Sequence, residues 1–204
     1  MILMLARHGE TDDNARLVFQ GQGGGSLNAR GRAQAERLAE RLAKDLDLIV
    51  SSDLTRAKET AEEIARASGA EIIFDRAVRE VDVGAWTGLA YEEVERRFPE
   101  EWAAWRAGVD VPRGGGETYA GLATRVAAAL DRIARDHVGK RVLVVSHGAA
   151  LRSAICLALG ISPSWNAPIG GLHNTSLSKL RYEDEQIHLV TYNDVAHLRD
   201  LEGA

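Results

Sequence analysis

Two apolar runs far apart in the chain stop in the same way. Ile2-Leu3-Met4-Leu5-Ala6 leads into Arg7-His8-Gly9, and Val142-Leu143-Val144-Val145 leads into Ser146-His147-Gly148. Each run places an imidazole where a buried strand ends and a glycine opens a turn. In an open α/β sheet, ligands gather in the crevice at the carboxyl ends of the strands. If the two strands are neighbours, His8 and His147 face one pocket with Arg7 beside them. A nucleophile next to donors for an anionic group is the chemistry this arrangement suits.

A phosphoryl group spreads its charge over several oxygens, so a site that transfers it needs a fork of cationic donors. Arg7 meets that need, because a planar guanidinium contacts phosphate bidentately. Arg56 is the second candidate: it falls in the first helical turn after Ser51-Ser52-Asp53, where the helix dipole disfavours a cation. A residue that breaks a local rule invites a functional reading; the alternative is an exposed arginine beside Lys58 and Glu59. His147 precedes Gly148 at a helix mouth, where the N–H groups of Gly148 and Ala149 are free to bind an anion. His137, His173, His188 and His197 lack such a setting and read as structural. For the proton donor, Val81 and Val83 alternate away from Glu80 and Asp82, so both carboxylates share one face. Glu10 competes, and the residues alone leave the three open.

Metal and nucleotide chemistry find no pattern. There is no His-Glu-x-x-His or Cys-x-x-Cys spacing, and His8 with Glu10 is not a coordination set. Neither metal nor cofactor is therefore expected. The glycine-rich stretch at 21–25 lacks the Gly-Lys-Ser/Thr ending of a phosphate loop and the dinucleotide fingerprint, and it predicts an open, mobile rim. The 204 residues carry a net charge of −5 and are 45% hydrophobic. That balance suits one well-packed domain and argues against a nucleic-acid or membrane-binding surface. Cys156 is the only cysteine, so no disulfide can form within the chain. No targeting segment opens the chain, and the apolar stretch at 149–159 is interrupted by Arg152 and too short for a bilayer. A soluble cytoplasmic protein is expected, with a small phosphorylated metabolite as partner and a homodimer left open.

The elements that must position these residues alternate along the chain. Periodicity predicts a helix over 28–44, a strand over 46–50 and a helix over 53–67 with Ser52 or Asp53 as N-cap. A short strand follows at 71–74. Residues 80–116 are irregular, with short helices at 91–97 and 100–107, and read as a lid-like insertion. A long helix over 117–137, a strand over 142–146 and a helix over 149–159 follow. Strands at 176–182 and 187–192, joined at Glu183-Asp184-Glu185, close the chain. The pattern is that of one α/β domain over 1–204, mainly parallel with a late antiparallel hairpin.

Arg7-His8-Gly9-Glu10-Thr11 resembles the signature of the histidine phosphatase superfamily, which includes the cofactor-dependent phosphoglycerate mutases. The likeness continues in order through Asn14, Phe19-Gln20-Gly21, the segments at 51–57 and 80–89, Gly115-Gly116-Glu117-Thr118 and Val145-Ser146-His147-Gly148. It implies a three-layer α/β/α sandwich, with His8 as the nucleophile that becomes phosphorylated. Arg7, Arg56 and His147 would hold the phosphoryl oxygens, with Asn14, Gln20, Gly21, Gly148 and Ala149 lining the phosphate pocket. Glu80, rather than Asp82 or Glu10, would be the proton donor. The chain departs from its relatives at the rim. Val18 stands where an arginine is usual, Gly24-Gly25-Ser26-Leu27 replaces an Asp-Ser/Thr-Pro-Leu stretch, and Asp13 replaces a tryptophan. The stretch from 86 to 114 is short and acidic where mutases carry a longer basic insertion, which favours a metal-independent phosphatase. A phosphoglycerate mutase and a non-catalytic phosphate sensor are the alternatives.

Overall fold

The computed structural model describes residues 1–183 and 186–201. Six strands form one sheet: β1 (Ile2–Arg7), β2 (Leu48–Ser51), β3 (Glu71–Phe74), β4 (Val142–Ser146), β5 (Leu177–Glu183) and β6 (Gln186–Asp194). Their order across the sheet is β3-β2-β4-β1-β5-β6. The first four strands are parallel; β5 runs antiparallel to β1 and β6 antiparallel to β5. The mixed α/β sheet agrees with the expected fold class, late hairpin included. Of its connecting turn, Asp184 and Glu185 lie outside the described residues.

Side-chain alternation decides which helices cover which face. Met4, Ala6, Ile49, Leu143 and Val145 point to one side. There they meet α2 (Ala29–Leu42) and α3 (Thr55–Ser68) through Leu38, Leu42, Ala57, Ala61 and Ile64. Leu3, Leu5, Val50, Val142 and Val144 point to the other side. They pack on α6 (Tyr119–Asp136) and α7 (Gly148–Ala158), whose Val126, Leu130, Leu151 and Ile155 are fully buried. Layers of helix, sheet and helix result, each helix burying one apolar stripe.

The α3 start differs from expectation. Its N-cap is Leu54, with no side-chain cap, because both polar candidates are engaged elsewhere. Asp53 takes both forks of Arg79 at 2.5 Å, and Ser52 turns toward His147. Residues 80–116 include α4 (Tyr91–Arg97) and α5 (Pro99–Arg106), and α1 is the short turn Asp12–Ala15. Trp86 and Trp105 of this segment lie inside the core, and with Phe19, Tyr91, Phe98, Trp102 and Trp165 they form one aromatic cluster above the strand ends. Among the described residues, no helix is long and apolar enough to cross a membrane.

Candidate active site

Register brings the two histidines together. β1 and β4 are adjacent and parallel, with Arg7 opposite Ser146, so His8 and His147 leave neighbouring strand ends. Their ring centroids are 5.1 Å apart. Both imidazoles are almost wholly buried, and burial, then the charge of Arg56, holds both well below the usual histidine range. Neutral His8 has its tautomer set by its partners. Nδ1 lies 2.7 Å from the Gly9 carbonyl, which can only accept. Nε2 receives the Nε–H of Arg56 at 3.2 Å. The proton therefore sits on Nδ1, and Nε2 keeps its lone pair toward the guanidinium.

Arg56 is a buried residue at the start of α3, not an exposed member of a charged helix face. Its Nη1 and Nη2 donate to the carbonyls of Gly23 and Gly21, at 2.6 and 2.8 Å. Burial lowers its pKa to about 10, which leaves it cationic at neutral pH. The glycine loop is thus exposed over 23–26, as a rim would be, but tied inward through the carbonyls of Gly21 and Gly23. Gly21 and Gly24 adopt φ of +52° and +88°, and a Cβ on Gly24 would lie 2.6 Å from Gln20 Oε1 and 3.0 Å from Arg56 Nη1. The loop turns its carbonyls inward to fix the arginine, a conformation and a closeness that need glycine. Arg7 donates to Leu172 O at 2.6 Å, while its buried Nε has no partner.

Glu80 lies at the mouth of α7. Its Oε1 accepts from Ala150 N and Val81 N, both at 2.9 Å, and Oε2 from Ala149 N at 3.2 Å. The first N–H groups of a helix have no partner within it, and here the carboxyl oxygens of Glu80 accept from two of them. Of the competing carboxylates, Asp82 bonds the Gly84 amide, and Glu10 accepts from Asn28 Nδ2. Neither lines the cavity in which His8, Arg7, Asn14, Gln20, Gly21, Arg56, Glu80, Gly148 and Ala149 meet, about 520 Å³ in volume. His147, fully buried beside His8, is not among the residues that line this cavity. Its Nε2 is 2.8 Å from Ser52 Oγ, and its Nδ1 has no partner. Among the described residues, no group of three or more His, Cys, Asp or Glu side chains is placed to hold a metal ion.

Several residues that sequence reasoning passed over support this set. Asn174 donates to the His8 carbonyl at 2.9 Å and to Asn14 Oδ1 at 3.3 Å. Thr175, next to it, adopts φ of +56° while its N–H reaches the Arg7 and His8 carbonyls. A β-branched residue in this region is strained and needs surroundings that impose it. Thr60 accepts the Gly9 N–H at 3.1 Å. Arg125 clamps the Glu80 strand by donating to the carbonyls of Ala77, Arg79 and Glu80. Arg113 lines the cavity from the 80–116 segment. None of these carries a local pattern; only Asn174, a polar residue between turn and strand, offered a weak signal.

Comparison with known proteins places this geometry. Among curated relatives, phosphoglycerate mutase-like protein 4 of Arabidopsis thaliana is 39% identical over 205 residues, covering 97% of this chain and 87% of the relative. Phosphoserine phosphatase 1 of Hydrogenobacter thermophilus is 35% identical, covering 96% and 93%. Among solved structures, the phosphoserine phosphatase of Entamoeba histolytica in complex with 3-phosphoglyceric acid superposes with a TM-score of 0.87. It is 28% identical, with 97% of this chain and 98% of that one covered. The family model of the histidine phosphatase superfamily, branch 1, matches residues 3–195. With its two histidines at adjacent strand ends and its family's sequence pattern over nearly its whole length, the chain belongs to the histidine phosphatase superfamily.

Proposed function

We propose that the chain hydrolyses small phosphomonoesters through a phosphohistidine on His8. The observation that carries this reading is a neutral imidazole whose Nε2 lone pair is held against a buried guanidinium inside one cavity. In this reading Arg7 and Arg56 gather the phosphoryl oxygens, with Asn14, Gln20, Gly21 and the amides of Gly148 and Ala149 around them, and His147, beside His8 with its Nδ1 unpartnered, joins them when substrate is bound. Nε2 attacks phosphorus in line with the ester oxygen; the N–P bond forms as the P–O bond breaks. Glu80 enters this step as the carboxylic acid, gives its proton to the departing oxygen and becomes the carboxylate. A phosphoryl oxygen takes over the Ala149 N–H, which releases Glu80 from the helix mouth toward the leaving group. Water then attacks phosphorus, Glu80 accepts its proton, and the N–P bond breaks to return neutral His8 and phosphate. Splitting the transfer into two steps lowers each barrier, and fixed cationic donors meet the charge that develops on the oxygens.

The phosphoserine phosphatases among the relatives support a hydrolase for small phosphorylated substrates. The mutase-like relative keeps phosphoglycerate mutation as a second reading; it requires 2-/3-phosphoglycerate interconversion that depends on bisphosphoglycerate priming. Turnover of p-nitrophenyl phosphate in EDTA tests the main proposal. The wild type retains activity, and His8→Ala loses roughly 10³-fold or more. Equal rates, or no turnover from either protein, would sink it.

A further inference from the structure

Four arginines line the cavity: Arg7, Arg56, Arg113 and Arg152. Three are accounted for. Arg56 is tied to two carbonyls and His8, and Arg7 stands beside His8 at the phosphoryl end. Arg152 gives four of its five N–H donors to the carbonyls of Ser164, Trp165, Ala167 and Ile169, and so braces the 164–169 loop. Arg113 is different. It is 2% exposed, yet its Nε and Nη2 are buried without a hydrogen-bond partner. No acid among the described residues lies in ion-pair reach of it. Its guanidinium carbon stacks 4.0 Å from the centroid of the Tyr119 ring. Glu117, whose carboxyl the nearby Arg113 charge helps to hold low, is already gripped by both forks of Arg125 at 2.9 and 2.7 Å.

A buried cation that lacks an acceptor is costly to fold around, and a cation–π contact of about 2 kcal/mol offsets only part of that cost. The surroundings nevertheless fix the backbone that carries the side chain, and the ring it stacks on. Gly114 adopts φ of +55°, and a Cβ there would lie 2.5 Å from Val83 O. Its N–H is bound by Glu101 Oε2 at 2.9 Å. Three residues on, Glu117 N donates to Asp82 O at 2.7 Å, and Asp82 N to Glu117 Oε2 at 2.9 Å. Arg113 is therefore locked to the same strand-like segment that carries Glu80. Tyr119 is fixed in turn by Trp105 Nε1 on its hydroxyl and by Asp110 on its N–H.

We infer that Arg113 is the receptor for a second anionic group on the substrate, on the wall of the cavity that the 80–116 segment provides. The preferred substrate is a small phosphomonoester that also carries a carboxylate or a further phosphate. The stacked guanidinium offers its unused donors to two oxygens at once, and the group it binds completes a site that the protein leaves one acceptor short. This rests on the phosphatase reading for the position of the phosphoryl group, but not for the existence of the receptor.

The test is a ratio of kcat/KM between substrates that differ only in the second anion. O-phosphoserine against O-phosphoethanolamine isolates the carboxylate; fructose 1,6-bisphosphate against fructose 6-phosphate isolates a second phosphate. Wild type favours the anionic member of at least one pair ten-fold or more, and the pair concerned tells which anion is read. Arg113→Met brings that ratio down at least ten-fold, and Arg113→Lys restores part of it. A purely structural arginine lowers both members of a pair alike. An unchanged ratio in Arg113→Met, or no preference in wild type, overturns the inference. Equilibrium binding of the same pairs to His8→Ala, with and without Arg113→Met, is measured in parallel. Binding preference without turnover tells against hydrolysis and leaves the receptor standing; turnover with no preference in either assay does the reverse.

Discussion

The imidazoles of His8 and His147 share a buried space with two guanidinium groups, and this governs their protonation. Water cannot solvate an imidazolium there, and Arg56 and Arg7 repel one, so both rings stay neutral below the pH at which a free histidine charges. At pH 6, ¹⁵N spectra of the protein are expected to show His8 neutral with its proton on Nδ1. An imidazolium or an Nε2–H tautomer would contradict the hydrogen bonds to Gly9 and Arg56. Ser52 acts through His147, since among the described residues its hydroxyl is the only hydrogen-bond partner of that ring. Ser52→Ala leaves both ring nitrogens without a fixed partner, worth about 1–3 kcal/mol. We expect kcat to fall about ten-fold or more with little change in KM, and Ser52→Thr to retain most of it. Equal activity of Ser52→Ala and wild type would remove Ser52 from the site.

At the scale of elements, the loop over 20–25 and the segment around Glu80 matter more than any regular helix. Arg79 joins that segment to the β2–α3 turn through its paired contacts with Asp53, so the acid and the arginine fork share one frame. The glycine loop is the other half of that frame. Gly24→Ala sets a side chain at φ +88° and against Arg56 and Gln20, a strain of order 1–3 kcal/mol. A lower Tm together with a reduced kcat/KM is expected, measured by thermal melting and steady-state kinetics. Retention of full activity would show that Arg56 does not depend on the loop. These elements were only half legible beforehand. Apolar alternation gave the strand ends and the long helices. A run of glycines, however, reads the same whether it dangles or folds inward, because the deciding partner, Arg56, lies more than thirty residues further on.

For the molecule as a whole, three histidines are held neutral: His8 and His147, both buried, and His197, half-buried and held down at about 4 chiefly by its partial burial and the nearby Arg41 charge. In the unfolded chain each takes up a proton near pH 6.5, while the folded protein resists. The unfolded state then binds more protons, so stability falls as pH drops below about 6.5, by up to about 1.4 kcal/mol per pH unit for each histidine. The Tm is expected to decline between pH 7 and 5, and His147→Asn to flatten that decline. A Tm that stays level over this range would show that the rings are not held neutral. The carboxylates of Asp47 and Asp194, held low near 2 by hydrogen bonds from Arg141 and Arg41, add their own loss only at more acid pH.

Local pattern was enough for the sequence to determine the strands, the amphipathic helices and the identity of the reacting types: two histidines before glycines, an arginine after a strand, a carboxylate on an alternating segment. It left Glu80, Asp82 and Glu10 equivalent until the family's likeness was weighed, and gave Arg113 no distinction from the other arginines. Tertiary structure separated them. Glu80 alone reaches the amides of α7, seventy residues along the chain, and Arg113 alone among the cavity's arginines is buried without any hydrogen-bond acceptor. Periodicity reports which face of an element is buried. What a polar side chain finds when it is buried depends on segments that only the folded backbone brings within 3 Å.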